Sequence, residues 1–160
     1  MELKSVQLTI PEGANLIFGQ SHFIKTVEDL YEAIINTNAS IEFGIAFCEA
    51  SGDRLIRVEG NDEAMKAAAT ENALAVGAGH TFFIFLRKGF PINILGRIKD
   101  VPEVVTLFCA TANPVQVILA ESDQGRGVLG VIDGGSPLGV EGPDGLEWRH
   151  SLLRKFGYKR

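Results

Sequence analysis

Three histidines occur in this chain, His22, His80 and His150, far apart in sequence, and His22 stands where chemistry is easiest to imagine. It lies in Gly19-Gln20-Ser21-His22-Phe23-Ile24-Lys25-Thr26, after the apolar run Ala14-Asn15-Leu16-Ile17-Phe18, which reads as a strand. Behind it, Val27, Leu30, Tyr31 and Ile34 fall at i, i+3, i+4 and i+7, one face of a helix. Thr26 suits the N-cap, and Asp29 three residues later makes a near variant of the capping box, which prefers Glu or Gln. A strand, a short polar loop and a helix N-terminus are a common place for α/β proteins to bind anions. An ordinary loop histidine fits the same spacing.

Other chemistry-bearing patterns are weaker. Gly125-Arg126-Gly127-Val128-Leu129-Gly130 spells G-x-G-x-x-G, but the dinucleotide reading needs a helix next, and Val131-Ile132-Asp133-Gly134-Gly135 is none. A glycine loop between strands also covers phosphates in protein kinases. The lysine-strand and catalytic-loop motifs of those enzymes are missing here. What survives is a turn at Gly125, Arg126 and Gly127 whose amides and guanidinium suit an anion, or a plain hairpin turn. No Walker-type phosphate loop exists, and no Cys/His spacing supports zinc. Asp53, Asp62, Asp123 and Asp133 sit in turns, where acids serve local hydrogen bonding. One or two of them could ligate magnesium beside a phosphate, since that ion needs few protein carboxylates. Arg149, Arg154, Lys155, Lys159 and Arg160 form a basic C-terminal cluster, read as a solvated helix face or an inter-subunit ion-pair patch.

Composition bounds the rest. At 160 residues a single domain is expected, and 46% hydrophobic with 22% charged residues fills a sizeable core. A net charge of −5 argues against a nucleic-acid scaffold. Cys48 and Cys109 lie in apolar runs without CxxC spacing, so both read as buried thiols in a reduced cytoplasm. The N-terminus lacks the apolar core of a signal peptide, and no apolar run approaches bilayer length.

The elements that must position these residues alternate along the chain. Val6–Ile10 reads as a half-buried strand, forming a hairpin with Asn15–Phe18 through Pro11-Glu12-Gly13. A helix over Val27–Asn36 follows. Ile41–Cys48 puts large residues (41, 43, 45, 47) on one face and Gly44, Ala46 and Cys48 on the other, so something approaches that second face closely. The closest fit is a packed helix or a subunit, or a flat ligand. Arg54–Val58 returns as an antiparallel strand. Asn61 caps an alanine-rich helix ended by Gly77 or Gly79, and His80–Leu86 is a continuous apolar run suited to a central strand. Asp100 caps a third helix containing Val104, Val105, Leu107 and Phe108. Strands at Val115–Ala120 and Val128–Ile132 and a terminal helix over Leu146–Phe156 complete a mixed sheet with helices packed on it, an α/β class.

The string Gly19–Thr26, with Phe47-Cys48-Glu49-Ala50-Ser51-Gly52, Arg54-Leu55 and Gly60-Asn61-Asp62, resembles the adenosine-specific kinase family. The resemblance covers nearly the whole chain, and the His22 segment is its most specific part. It implies a single α/β sandwich domain assembled as a cytoplasmic homotrimer, with a cleft between subunits. It also implies a phosphorylated histidine at His22 and binding of adenosine or AMP rather than ADP or ATP. A phosphotransferase acting on adenosine follows from it; the alternatives are a non-catalytic adenosine or AMP sensor and a trimeric structural protein. No nucleic-acid or membrane partner is implied. The chemistry suits the residue type, since imidazoles of ordinary pKa, about 6.5, are mostly neutral at pH 7 and leave one nitrogen free to attack phosphorus. Phosphate there needs donors: Gln20, Ser21, the amides of Thr26–Glu28, Lys25, Arg54 and the Gly125-Arg126-Gly127 turn are the candidates, with Arg57 a further one.

Overall fold

Aromatic and β-branched runs dominate the chain, and the computed structural model, which describes residues 1–160, turns them into eight strands. The order is β1 (Glu2–Gln7), β2 (Asn15–Ser21), α1 (Thr26–Thr37), β3 (Glu42–Cys48), β4 (Ile56–Gly60), α2 (Glu63–Val76), β5 (Thr81–Arg87), α3 (Pro91–Lys99), β6 (Val104–Thr111), β7 (Val115–Ser122), β8 (Gly125–Asp133) and α4 (Pro143–Lys155). Five strands form one sheet in the order β4-β3-β5-β2-β6, and β1-β7-β8 form a second.

The central strand explains the layering. Phe82, Ile84 and Leu86 of β5 point to one face, where they meet Leu30 and Ile34 of α1 and Ile94 and Ile98 of α3. Phe83 and Phe85 point to the other, against Ala69, Ala73 and Val76 of α2 and Val115, Val117 and Leu119 of β7. A strand covered on both faces must be apolar throughout, as this run is. The small face of β3 receives α2: a Cβ on Gly44 would lie 2.1 Å from the Lys66 backbone nitrogen. The close neighbour expected at that face is therefore the packed helix.

The expected α/β sandwich is the fold, but its strands are arranged differently from the single mixed sheet. There are two sheets, and every strand pair within them is antiparallel. The expected hairpin between the first two strands does not form. β1 pairs with β7 instead, and the Pro11–Gly13 turn carries the chain from the small sheet to the large one. Val104 to Phe108 are not helical. Their β-branched and aromatic side chains pair as β6 with β2, while the third helix precedes them with Pro91 in its first turn and Asp100 at its C-terminal end. Capping also shifts. Asp62, not Asn61, caps α2 by accepting from the Met65 amide at 2.9 Å. Asn61 instead spans Phe43 N and Ile41 O, both at 2.8 Å. Lys25, not Thr26, is the N-cap position of α1. Gly77 ends α2 with φ 59°, as expected of a left-handed C-cap.

Candidate functional site

Antiparallel register brings five strand ends together beside His22. Phe47 of β3 sits opposite Arg57 of β4 and Phe82 of β5, Gln20 of β2 opposite Thr81, and Ser21 opposite Val104 of β6. The connecting loops are stitched by backbone bonds. His80 N–H donates to Cys48 O at 2.7 Å, Ser21 N–H to His80 O at 2.9 Å, and His22 N–H to Glu103 O at 2.9 Å. Two register shifts between β2 and β6, at Phe18/Gly19 and Gln20/Ser21, lie just before His22. Bulges of this kind bend a strand and re-aim the side chain that follows.

The loop around His22 is held rather than free. Thr26 Oγ1 donates to Phe23 O at 2.7 Å and to His22 O at 3.2 Å. The amides of Thr26 and Val27 donate to Phe23 O and Ile24 O, so two of the expected phosphate-facing amides are engaged within the loop. The His22 ring is exposed, 6.2 Å from the Phe23 ring between centroids, and the His80 ring stacks on Phe47 at 5.7 Å. Phe23, Arg54 and His80 adopt positive φ (76°, 52° and 61°), three of the four non-glycine residues that do so. Such strain persists only where surrounding structure enforces it and clusters at functional sites.

Charge and burial follow the same end of the sheet. Lys25 Nζ contacts Glu103 Oε1 at 2.9 Å and also pairs with Asp29. Its ammonium is held well above the ordinary lysine pKa by the hydrogen bond to Asp29 first and Glu103 second. Glu49 accepts from the Leu55 amide and from Arg57 Nη2, both at 3.1 Å. Those contacts, the amide foremost, hold its carboxyl below the usual range. Buried side-chain polar atoms without a partner number three in the whole protein: Ser21 Oγ, Arg57 Nε and Glu103 Oε2. All belong to this end. Ser21 is 2% exposed and Glu103 5%. Ser21 and Arg57 lie three strand spacings apart, roughly 14 Å at about 4.8 Å each, so one small ion cannot satisfy both.

Two clefts border this end of the sheet, and the linings of both leave out His22, Ser21 and Glu103. One, of about 640 Å³, is lined by Phe23, Ile24, Lys25, Ile56, Arg57 and Val58 among others. A larger one, of about 750 Å³, runs between the β3–β4 loop, the end of α2 and the β7–β8 hairpin, with Glu49, Arg54 and Arg126 on its walls. Ile56 borders both.

Of the residues singled out from the sequence, Gln20, Ser21, His22 and Lys25 are consecutive or nearly so, and Arg54 joins them at the same sheet end. Gly125, Arg126 and Gly127 stand on the small sheet, across the larger cleft. There Arg126 Nη1 donates to Ala75 O at 3.0 Å and Val76 O at 3.1 Å, and its Nε pairs with Glu121, so it caps the C-terminus of α2. Glu103 was not among the residues the sequence singled out, and His80 was read only as the start of a strand. Glu103 was hidden by assigning its neighbours to a helix; the β-branched run Val104-Val105-Thr106 that follows it is the signal of a strand. Of the four turn acids considered for magnesium, Asp62 is spent on the α2 cap and Arg87, and Asp133 on Thr111 and Asn113. Asp53 lies in the β3–β4 loop and Asp123 in the β7–β8 turn. Cys48 and Cys109 are free thiols, and burial pushes both pKa values up, that of Cys109 to about 12.

The sequence model of a family described as adenosine specific kinase matches residues 6–159. A crystal structure of the PH1918 protein from Pyrococcus horikoshii OT3 is 40% identical, superposes with a TM-score of 0.95, and the match covers 99% of this chain and 98% of that one. No curated protein matches the chain.

Proposed function

This chain belongs to the adenosine-specific kinase family, and from that premise we propose that it transfers a phosphoryl group to adenosine through a phosphorylated His22. The observation that carries the proposal is the sheet end itself. An exposed imidazole on a fixed, strained loop stands beside buried polar atoms that have no partner within the protein. Those atoms have already lost their water and await hydrogen-bonding groups from a ligand.

In the first step a ring nitrogen of His22 attacks phosphorus of a phosphoanhydride donor. A P–N bond forms, and the P–O bond to the leaving phosphate breaks with its electron pair. In the second step the ribose hydroxyl oxygen of adenosine attacks the same phosphorus. The P–N bond breaks, its pair returns to the imidazole, and the hydroxyl proton passes to the freed ring nitrogen or to Glu103, giving AMP. Ser21 Oγ–H and Arg57 Nε–H donate to the ligand, and Lys25, kept charged, offsets the phosphoryl charge. Gln20, Arg54 and the Gly125-Arg126-Gly127 turn complete the proposed binding surface. If magnesium accompanies the phosphate it would neutralise charge there, and of the four turn acids considered Asp53, in the β3–β4 loop, is the one at this end.

A homotrimer with the His22 cleft between subunits, in the cytoplasm, belongs to the same reading. No helix is long and apolar enough to cross a membrane. Intact mass and phosphorus NMR of gently purified protein, before and after acid, test the proposal. An acid-labile phosphate that adenosine removes, and that His22→Asn abolishes together with turnover, is the expected result. If no such species forms with any phosphodonor, the kinase reading falls. A thermal shift with AMP but no AMP formed from adenosine would mark a sensor instead.

A further inference from the structure

The last 26 residues have no hold on their own body. The final bond back to it is Gly134 N–H to Pro114 O at 2.9 Å. Beyond it, the hydrogen bonds and ion pairs of residues 135–160 stay within that segment, such as Arg149 to Glu141 and Arg154 to His150 O. None of the α4 residues is buried. Yet α4 is amphipathic: Trp148, Leu152 and Phe156 follow at i, i+4 and i+8, flanked by Leu146 and Leu153. Trp148 is 66% exposed, Phe156 61%, and Leu138 and Val140 in the segment leading to it are fully open. A 13-residue helix is marginal alone in water and keeps its shape by burying its apolar face.

We infer that residues 135–160 are an assembly arm, and that α4 docks its apolar face on the body of a second copy of this chain. Two observations choose that occupant. The arm holds five of the 15 Lys and Arg but only three of the 20 Asp and Glu, so it is net +2 against a body at −7. Every copy thus carries both a basic apolar arm and an acidic body to receive one. The arm's placement is also shared with the Pyrococcus crystal structure, because a TM-score of 0.95 over 99% of this chain leaves no room for a displaced 26-residue tail. A helix kept in the same projecting position at 40% identity is held by something other than its own body. Arms passed from each copy to the next close into a ring in which none is left unpaired. The inference rests on the proposed trimer for its ring, and independently of adenosine chemistry it names the element that makes the ring.

Trp148 is the sole tryptophan, so its fluorescence reports on the arm alone. Sedimentation and tryptophan emission of the full chain are measured across a dilution series, for the native protein and for Leu152→Asp/Phe156→Asp. The native protein is expected to assemble with blue-shifted, quencher-protected emission that turns red as dilution dissociates it. The variant is expected to associate at least about 30-fold more weakly, as when interface anchors are lost, with red emission and an otherwise folded body. An assembled native protein with exposed Trp148, or a variant that assembles normally, overturns the arm while leaving the trimer intact. A native protein that stays monomeric overturns both.

Discussion

Replacing Ser21 by alanine should make the free protein more stable and the enzyme worse. Ser21 Oγ is buried, at 2% residue exposure, and has no hydrogen-bond partner. A buried hydroxyl in that state costs about 1–3 kcal/mol of desolvation, so its removal with almost no change of shape should return about 1 kcal/mol. For a chain of this length that raises Tm by roughly 2–4 °C. The Ser21 N–H to His80 O bond is a backbone bond and survives the change. On the ligand side the balance reverses. A hydroxyl bonded to a charged phosphate contributes about 1.5–3 kcal/mol, which converts to roughly 10- to 150-fold weaker transfer or AMP binding. Thermal unfolding with and without AMP, alongside the rate of histidine phosphorylation, reads both signs. A Ser21→Ala protein that is less stable by 1 kcal/mol or more, or that phosphorylates and binds as the native protein does, would refute the reasoning that this hydroxyl is reserved for a ligand.

Gly44→Ala places a methyl 2.1–2.2 Å from the Lys66 N and Met65 C backbone atoms, which cannot swing aside as a side-chain tip would. Overpacking of this sort costs about 3 kcal/mol or more, so Tm should fall by at least roughly 6 °C in calorimetry. An unchanged Tm would mean that α2 does not seat on β3 as described. Acid should also unfold the protein from a narrow direction. Glu49, through the Leu55 amide, and Asp62, through the Met65 amide, have carboxyls held below their ordinary values. A depressed folded pKa contributes stability that is complete above the unfolded value of about 4 and is lost as pH falls through the folded one. Tm should therefore hold between pH 7 and about 5 and drop below about pH 4, with Asp62→Asn flattening the drop; a Tm that rises toward pH 3 contradicts the assignment.

Local signals in the sequence were enough for most elements and for the position of His22 between a strand and a helix. The helical spacing of Val27, Leu30, Tyr31 and Ile34, the apolar run of β5 and the glycine end of α2 are properties of a few neighbouring residues, and they fold as read. His22 sits where a strand meets a helix, and its surrounding string carries the family resemblance. The misreading of Val104 to Phe108 shows the limit of such signals. An apolar stretch of that length serves a helix or a strand, and β2 as a partner settles it as β6.

Pairing at a distance decided the rest. Which strand lies beside which depends on register and on the faces that α1, α2 and α3 cover, and no local window contains that information. Only the antiparallel order β4-β3-β5-β2-β6 brings Glu103, His80, Arg57 and Glu49 to the end where His22 waits. It also sets Arg126 across the larger cleft, on the cap of α2. The sequence by itself determined that a histidine stands at a strand–helix junction, because that depends on neighbours in the chain. The tertiary structure decided its company, because buried polar atoms lose their water only when distant strands close over them.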